Sequence, residues 1–580
     1  MKFGRWINRV SAALGVVLAI GVAVTAGAQT PPGAAQGELY TPAKDAKDLR
    51  AVLFNWMWHQ GMLKGTDERD MVATLEYQGK GTIQVDGQPC TLSKFRASTN
   101  YQTMSQRIQY TCRRANGQNY SNIEVVSGLY AWNEDVAGAE IGETKGKAAP
   151  MPNAVQERLI RIWASPQGAP KAALAGTSQT LLWGANPGTL LQDGSDKAGT
   201  TSVAWQAGKP VVTFQIPGVA GATAVATLDA KYMVEKVVVT QGATTTEFTY
   251  SGYKDWNNPL NQIEVFYAGK LTEKRNGAVV RDLTTDVTET GNVFVIAPVP
   301  ASVKKTITVT AQLPKGVYAK PNPPITPAPT PRLGSHPDLT GIWGYSDWIG
   351  NYMGNGGRRC GPTQAQPCNR STNQTEDFEL YSPSRFGMLG FPQYKPEHWD
   401  KIQELDMWTN KYDPVMTCQP LGVPRQGPPR RIYQTENDIT FLYFGGDAGG
   451  GYGEYRIIPT DGRKHQPNDN LELTYMGIGL GRWEGDTLVV ESVGFIDTTW
   501  IGRGGYFHSS EMKVTEKFRR EGDAIFYDVT VEDPEVLVEP LVIPTRIMRR
   551  NAQAGAGLLR ERGNCETDFE TNGAATQIRH

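Results

Sequence analysis

The sequence has no surplus of either charge. Its 580 residues carry 58 basic and 59 acidic side chains, which leaves a formal net charge of -1. Proteins that bind nucleic acids gain much of their affinity from basic residues that neutralise phosphates, so the composition argues against a nucleic-acid partner. The 63 glycines and 37 prolines show no collagen period, and 9% aromatic residues argue against a disordered chain. The length suggests about three or four domains, or fewer if the folds are rich in β-structure.

Long apolar runs are lacking beyond the N-terminus. The only such run, residues 12–24, is shorter than the roughly 18 residues that span a bilayer. It follows a basic start and precedes Ala26-Gly27-Ala28, the small-x-small pattern of a signal-peptidase site. Gln29 stands where a lipid-anchored bacterial protein would have cysteine. We therefore predict a signal peptide over residues 1–28, a disordered lead-in over 29–40, and a periplasmic or secreted protein with no stable membrane span.

Cysteines are few, and an even number in an exported chain favours disulfides, although six cysteines allow 15 pairings. Cys90 and Cys112 stand alone in the N-terminal half and are expected to pair with each other. The C-terminal half holds the other four: Cys360, Cys368, Cys418 and Cys565. The first two bracket a short loop, and a bond between the last two would tie the start of the C-terminal region to its end. No Cys-x-x-Cys or Cys-x-x-His spacing supports a zinc site.

A proline-rich segment, Pro-Asn-Pro-Pro-Ile-Thr-Pro-Ala-Pro-Thr-Pro over residues 321–331, divides the chain. Such a segment is typical of a semi-rigid polyproline II spacer. We therefore predict an N-terminal domain over residues 41–303, a linker over 304–336, a C-terminal domain over 337–570 and a tail over 571–580.

The predicted fold class is mainly β. In the N-terminal domain, three- and four-residue apolar spacing predicts a helix over 46–63, and Asn153 followed by Gln156 indicates the capped start of a second helix. Alternating strands surround these helices, and Asn276-Gly277 predicts a tight hairpin. This order of elements resembles the lipoprotein-carrier type of half-barrel over about residues 40–303, with a closing strand near 293–300. The resemblance implies an incomplete barrel, capped by helices, whose apolar groove holds acyl chains.

The C-terminal domain is predicted to be a small antiparallel barrel or sandwich with one helix. Seven strands are expected between residues 439 and 542, and the helix is expected from Pro396 to about Thr409, with Trp399 and Ile402 facing inward. Glu484-Gly485-Asp486 and Glu521-Gly522-Asp523 predict turns of the same type.

Polar residues concentrate in three segments of this domain and provide six candidates for acid–base catalysis: Asp461, Arg463, His465, Glu484, Asp486 and His508. Histidine paired with a carboxylate transfers protons near neutral pH. The alternative interpretation is that these are turn residues and solvated strand faces, which is the stronger one for any single residue. Two imidazoles and a carboxylate could also ligate a metal, but no short helical spacing joins them, so neither a metal nor a cofactor is predicted.

Four further residues are candidates for binding a flat or apolar ligand: Arg482, Trp483, Trp500 and Tyr506. The two tryptophans adjoin polar, glycine-rich sequence and could line the mouth of a small barrel. Core packing is the alternative for most tryptophans of this half.

Gly-Arg-Trp-Glu-Gly-Asp-Thr-Leu-Val-Val-Glu, over residues 481–491, resembles the signature of a family of exported bacterial β proteins with no settled activity. Further parts of the same pattern lie at 337–343, 418–424, 461–465 and 533–534, so the resemblance covers about 337–567. The chain departs from the pattern at Gly477-Ile478-Gly479, where the family often carries Gly-His-Ser or Gly-Asp-Ser. A catalytic role of that polar residue would be missing here.

Three functions follow from these patterns. We expect an exported protein that binds a hydrophobic or aromatic small molecule or a lipid. The first alternative is a periplasmic lyase, isomerase or hydrolase that uses the six polar candidates, and the second is an envelope scaffold with a rigid spacer. Convergence of the six candidates on one pocket would favour the enzyme.

Overall fold

The computed structural model describes residues 42–62, 72, 74–101, 104–176, 200–258, 263–291, 295–306, 319–320, 328–345, 370–371, 392–407, 412–417, 419–443, 454–467, 471–502 and 505–550. The predicted signal peptide and lead-in lie outside these residues, as do Cys360, Cys368, Cys418 and Cys565. The fold is mainly β, which confirms the predicted class.

Helices are few and short, and five are α-helical among the described residues: α1 (Leu49–His59), α2 (Val155–Trp163), α3 (Gly168–Ala175), α4 (Ala301–Lys304) and α5 (Trp399–Met407). Turns of 3-10 helix cover Pro152–Ala154, Pro396–His398 and Pro414–Thr417. Asp48 caps α1 by accepting a hydrogen bond from the backbone of Ala51. The capped start predicted at Asn153 is wrong, because this residue lies within a 3-10 turn and α2 begins after Ala154 without a side-chain cap.

The first half of the chain forms one antiparallel sheet of thirteen strands. In chain order these are β1 (Thr74–Val85), β2 (Gln88–Asn100), β3 (Ser105–Arg114), β4 (Asn119–Ser127), β5 (Tyr130–Glu134), β6 (Ala148–Pro150), β7 (Ser202–Gln206), β8 (Lys209–Gln215), β9 (Ala222–Leu228), β10 (Val234–Gln241), β11 (Thr244–Asn258), β12 (Ile263–Arg275) and β13 (Ala278–Gly291). Their order in the sheet is β6-β5-β4-β3-β2-β1-β13-β12-β11-β10-β9-β8-β7. Two meanders are therefore joined side by side where β1 pairs with β13.

Two features of this sheet were predicted from local sequence. The two-residue turn Asn276-Gly277 joins β12 to β13, with positive φ at both residues, as a tight hairpin requires. The disulfide between Cys90 and Cys112 links β2 to β3 and confirms the predicted pair.

One face of the sheet, here called the inner face, packs against α1, α2 and α3. Its large core includes Trp56 of α1 and Trp163 of α2 against Tyr77, Phe95 and other strand residues. Strand alternation sends every second side chain to the opposite, outer face.

The remaining strands lie in the second half of the chain. They are β14 (Ala319–Lys320), β15 (Arg332–Leu333), β16 (His336–Pro337), β17 (Gly341–Tyr345), β18 (Arg370–Ser371), β19 (Arg431–Gln434), β20 (Asp438–Leu442), β21 (Tyr455–Pro459), β22 (Ile478–Glu484), β23 (Thr487–Val493), β24 (Trp500–Gly502), β25 (Tyr506–Phe507), β26 (Lys513–Glu521), β27 (Ala524–Glu532) and β28 (Leu541–Arg550). Nine of them form a sheet in the order β21-β20-β19-β17-β28-β27-β26-β23-β22. β14 pairs with β18, β15 with β16 and β24 with β25.

The nine-stranded sheet curls into a nearly closed barrel, because its edge strands β21 and β22 approach each other. A Cβ atom at Gly479 would lie 2.7 Å from Ile458 Cδ1 and 2.8 Å from Arg456 Nη2. Glycine at position 479 therefore permits this close approach. The two hairpin turns predicted in this domain join β22 to β23 and β26 to β27.

Two strands predicted in the C-terminal domain are absent from the described residues. Residues 471–476 form only an isolated bridge between Thr474 and Phe495. Of residues 536–542 only 541 and 542 belong to a strand, β28, and Leu537 forms an isolated bridge with Tyr394. Likewise the described part of the closing strand expected near 293–300, residues 295–300, is not paired in a sheet. Alternation alone predicts strands here, but hydrogen-bonded neighbours decide whether one forms.

Helix α5 connects the two halves of the molecule by packing on the outer face of the thirteen-stranded sheet. The ring of Trp399 lies 4.5 Å from the Arg107 guanidinium, and Gln403 donates a 3.1 Å hydrogen bond to buried Glu76. Glu76 also accepts a 2.6 Å hydrogen bond from Ser98. The predicted inward orientation of Trp399 and Ile402 is confirmed, since both are buried.

Candidate functional site

The first pair of acid–base candidates, Asp461 and Arg463, forms a local surface ion pair. Arg463 Nε lies 2.9 and 3.0 Å from the two carboxylate oxygens of Asp461, and both side chains are well exposed. The hydrogen bonds from Arg463 lower the pKa of the Asp461 carboxyl. An exposed carboxylate held ionised in this way stabilises a turn and is poorly placed to exchange protons.

The β22–β23 hairpin carries four more candidates on its surface. Arg482 bonds Glu484 at 2.9 Å and Glu491 at 3.0 Å, while Asp486 receives two bonds from Arg332 at 3.0 and 3.2 Å. The Arg332 hydrogen bond lowers the pKa of the Asp486 carboxyl.

Trp483 lies on the same hairpin and stacks on the ring of His336, with centroids 4.6 Å apart and planes 6° from parallel. The β15–β16 hairpin thus packs on the barrel through two contacts: His336 stacks on Trp483, and Arg332 pairs with Asp486. Trp483 uses this ring face for packing within the chain.

The two candidate histidines bond backbone carbonyls. His465 Nε2 lies 3.0 Å from the carbonyl oxygen of Glu491. His508 is 3% exposed, with Nδ1 2.7 Å from the carbonyl oxygen of Ser509 and Nε2 2.7 Å from Thr499 Oγ1. The carbonyl oxygen can only accept, so Nδ1–H donates to it, and Nε2 and the carbonyl oxygen of Ile496 compete for the single proton of the Thr499 hydroxyl. Burial lowers the pKa of His508, so the neutral ring is the stable form.

Trp500 and Tyr506 are buried in the β24–β25 pair, at 6% and 4% exposure. They contribute to the barrel core, the alternative that the sequence left open for the tryptophans.

The structure thus brings together only subsets of the ten candidates. Arg482, Trp483, Glu484 and Asp486 share one hairpin, Asp461 pairs with Arg463, and His508 lies with the two buried aromatic residues. Within the described ranges, no hydrogen bond or ion pair joins these groups into one site. The convergence that would favour an enzyme is not seen among them.

A buried polar network that the sequence analysis missed occupies the barrel interior. Arg456 donates to Glu516 at 2.5 Å, to Ser492 at 2.6 Å and to Tyr443 at 2.9 Å, and Tyr527 donates to Glu516 at 2.9 Å. One signal was available: Glu516 lies at an inward position of β26, two residues from both Val514 and Phe518. The network lies inside a packed core, which suits stability rather than binding.

The described residues of the inner face enclose one small cavity. A cavity lined by Tyr101, Arg161, Tyr250, Glu273 and other residues measures about 20 Å³. This is room for about one water molecule. The surrounding charges are matched, since Arg161 lies 3.0 Å from Glu273 and 3.7 Å from Glu124.

The outer face holds a much larger space, an open trough of about 820 Å³. Ligand pockets commonly measure about 300–1,000 Å³. Two rows of outward side chains, each running across five adjacent strands, form its floor. The first row is Thr284, Lys80, Lys94, Thr111 and Ser121, and the second row is Asp286, Gln78, Arg96, Gln109 and Ile123.

The pairing of residues between neighbouring strands defines which residues belong to each row. Gln78 pairs with both Asp286 and Arg96, and the chain continues to Gln109 and Ile123. The next row along the strands, which we call the covered row, contains Glu76, Ser98, Arg107 and Val125. The covered row lies beneath α5 and residues 295–306, so the trough is the part of the outer face that these elements leave open.

Arg96 lies at the border between the trough and the covered row. Its Nη1 is 2.9 Å from Asp400 of α5, and its Nε is 2.8 Å from Glu76. Burial acts to lower the pKa of Arg96, but the two carboxylates outweigh it and raise the pKa.

Comparison with protein-family models and with curated proteins finds no match to this chain. No group of three or more potential metal ligands occurs in the described part of the chain. None of the helices described there is long and apolar enough to cross a membrane.

Proposed function

We propose that the chain is an exported binding protein whose small-molecule ligand occupies the trough. The single observation that carries this proposal is an open space of about 820 Å³ floored by two continuous rows of mostly polar side chains. Hydroxyl, amide and amine groups from five strands point into one concavity, which is the arrangement that fixes the orientation of a small ligand.

The chemistry of the trough favours a hydrophilic ligand. Apart from Ile123, the two rows carry only polar or charged side chains, so an apolar ligand would remove their hydration without replacing it. An acyl chain, as the half-barrel resemblance implies, would instead need the inner face, where the cavity measures about 20 Å³. A lipid in that cavity would have to displace α1, α2 or α3 from the core.

Retention of a co-purifying ligand tests the proposal. We expect native mass spectrometry of protein from the cell envelope to show a bound hydrophilic small molecule, and hydrogen exchange in β1–β4 to slow when it is present. Thr111→Trp, in the first row and paired with Lys94, fills the trough and should abolish retention. Thr223→Trp is the matched control, because Thr223 is also a half-buried strand residue that bonds a neighbouring strand.

Two outcomes would contradict the proposal. Equal retention by the wild type and Thr111→Trp would place the ligand elsewhere. Recovery of a lipid with slowed exchange in α1–α3 would favour the inner-face carrier instead.

Export is tested separately by fractionation and intact mass. We expect the mature protein in the periplasmic or secreted fraction to begin at Gln29, because Ala26-Gly27-Ala28 has the pattern of a cleavage site. A full-length chain in the cytoplasmic fraction would contradict this part of the proposal.

A further inference from the structure

Two lysines in the first row have no counter-charge. Lys80 and Lys94 are exposed, and neither forms a hydrogen bond or an ion pair with any residue that the structure describes. Gln78 pairs with Arg96 and Thr82 pairs with Thr91, so Lys80 of β1 and Lys94 of β2 lie on adjacent strands between these two pairs. Like charges that face each other across neighbouring strands destabilise a sheet.

Irregularities of the strands flank both lysines. The register between β1 and β2 shifts between Gln78 and Thr82, and the register between β2 and β3 shifts between Leu92 and Lys94. Such bulges re-aim side chains and are common next to binding sites. Lys80 and Lys94 both line the trough beside these irregularities.

The other charges of the trough already have partners. Arg96 lies between Glu76 and Asp400, Asp286 pairs with Lys254, and Asp135 accepts a 2.7 Å hydrogen bond from the backbone of Lys147. Among the described residues Asp135 has no charged partner, so the lining charges without an ion pair are this carboxylate and the two lysines, which lie in a row whose remaining members are hydroxyl residues.

We infer that Lys80 and Lys94 together hold an oxyanion, a carboxylate or a phosphate, on a small hydroxyl-rich ligand. This inference rests on the proposed function and names the chemistry of its ligand. The anion relieves the repulsion between the two ammonium groups through charge-assisted hydrogen bonds. Thr111, Ser121 and Thr284 are placed to bond the hydroxyl groups of the ligand. Asp135 and Asp286 at the lining disfavour a long polyanion, so the ligand is a small molecule.

Calorimetric titration of the full chain with five probes tests the inference: glucose, glucose 6-phosphate, gluconate, citrate and inorganic phosphate. We expect the organic oxyanions to bind more tightly than glucose, with an affinity that falls as salt is added. Glucose 6-phosphate against gluconate distinguishes phosphate from carboxylate as the preferred group. Inorganic phosphate shows how much of the binding the anion supplies without hydroxyl groups.

Charge-removing variants locate the anion. Lys80→Gln and Lys94→Gln should each weaken oxyanion binding about tenfold or more, since each removes a hydrogen bond to a charged group. Lys231→Gln is the matched control, because Lys231 is an exposed lysine in the β9–β10 turn outside the trough. The melting temperature of the unliganded Lys80→Gln protein should equal or exceed that of the wild type, which also shows that the variant folds.

The inference is overturned if no oxyanion probe binds, if glucose binds as tightly as glucose 6-phosphate, or if both lysine variants keep wild-type affinity. In each case the proposed function survives when a neutral ligand is retained by the wild type and lost in Thr111→Trp. Failure of that retention experiment would instead remove the proposed function itself.

Discussion

Breaking the ion pair inside the barrel should cost far more stability than breaking an ion pair on its surface. Glu516 and Arg456 have side chains that are 0% and 3% exposed and lie 2.5 Å apart. Glu516→Leu removes the carboxylate and leaves the guanidinium buried with only Tyr443 and Ser492 as partners. A buried charge that loses its partner cannot regain the hydration that it gave up on folding.

The expected magnitude is a loss of about 3–5 kcal/mol in the free energy of unfolding of the barrel, the range found when one partner of a buried pair is removed. The double variant Arg456→Met/Glu516→Leu should recover most of this loss, because two apolar side chains of similar volume replace the whole pair. Glu491→Gln is the matched control, since it breaks the exposed 3.0 Å pair with Arg482 and should cost less than about 1 kcal/mol.

Native-state hydrogen exchange of β26 and β27 peptides measures these opening free energies within the barrel and does not require the whole chain to unfold in one step. The reasoning is refuted if Glu516→Leu costs no more than Glu491→Gln. It is also refuted if the double variant loses as much stability as the sum of the two single variants, because each charge would then contribute independently of the other.

Three further predictions concern other parts of the molecule. Burial holds the pKa of His508 below its usual 6.5. As the pH falls, His508 is therefore protonated in the unfolded chain at a higher pH than in the folded protein. Stability should therefore fall as the pH drops through about 6.5, and urea melts at pH 5–8 should show a smaller fall for His508→Gln. Replacing Cys90 and Cys112 by alanine opens a 22-residue loop and should cost about 3 kcal/mol in urea melts, whereas no loss would contradict a role in stability. Gly138→Ala places a Cβ atom 2.5 Å from Pro396 Cγ, in the 3-10 turn that precedes α5, and should therefore speed hydrogen exchange in the covered row. Gly142→Ala is the control, because Gly142 also has a positive φ but its Cβ atom would lie 3.5 Å from the nearest atom, so exchange should not change.

Elements set by local chemistry could be predicted from the sequence. The hairpin at Asn276-Gly277 needs positive φ at two successive residues, which few sequences supply, and α5 follows from a proline start and inward Trp399 and Ile402. Helix α3 was missed because Gly-Ala-Pro-Lys-Ala-Ala-Leu-Ala has neither a polar face nor a capping residue, and its burial on every side comes from tertiary packing.

The trough could not be predicted in the same way. Its floor draws residues from β13 and from β1–β4, so positions as distant as Lys80 and Thr284 become neighbours only through strand register. Two register shifts decide which residues face each other, and alternation within a single strand does not reveal them. The polar candidates chosen from the sequence were those that cluster along the chain, and in the structure most of them form turn and hairpin contacts.

Charge matching explains why the outer face of the sheet is divided into a covered and an open part. Helix α5 brings apolar Trp399 onto the sheet, and an apolar cover is tolerable only over charges that already have partners. In the covered row Glu76 has its donors, and Arg107 donates to the carbonyl oxygen of Ile296 at 2.9 Å. Moving the helix four residues further along the strands would bury Lys80 and Lys94 without a counter-charge. The unmatched lysines thus limit how far the C-terminal domain can extend over the sheet, and they leave the trough accessible to an anion that supplies the missing charge.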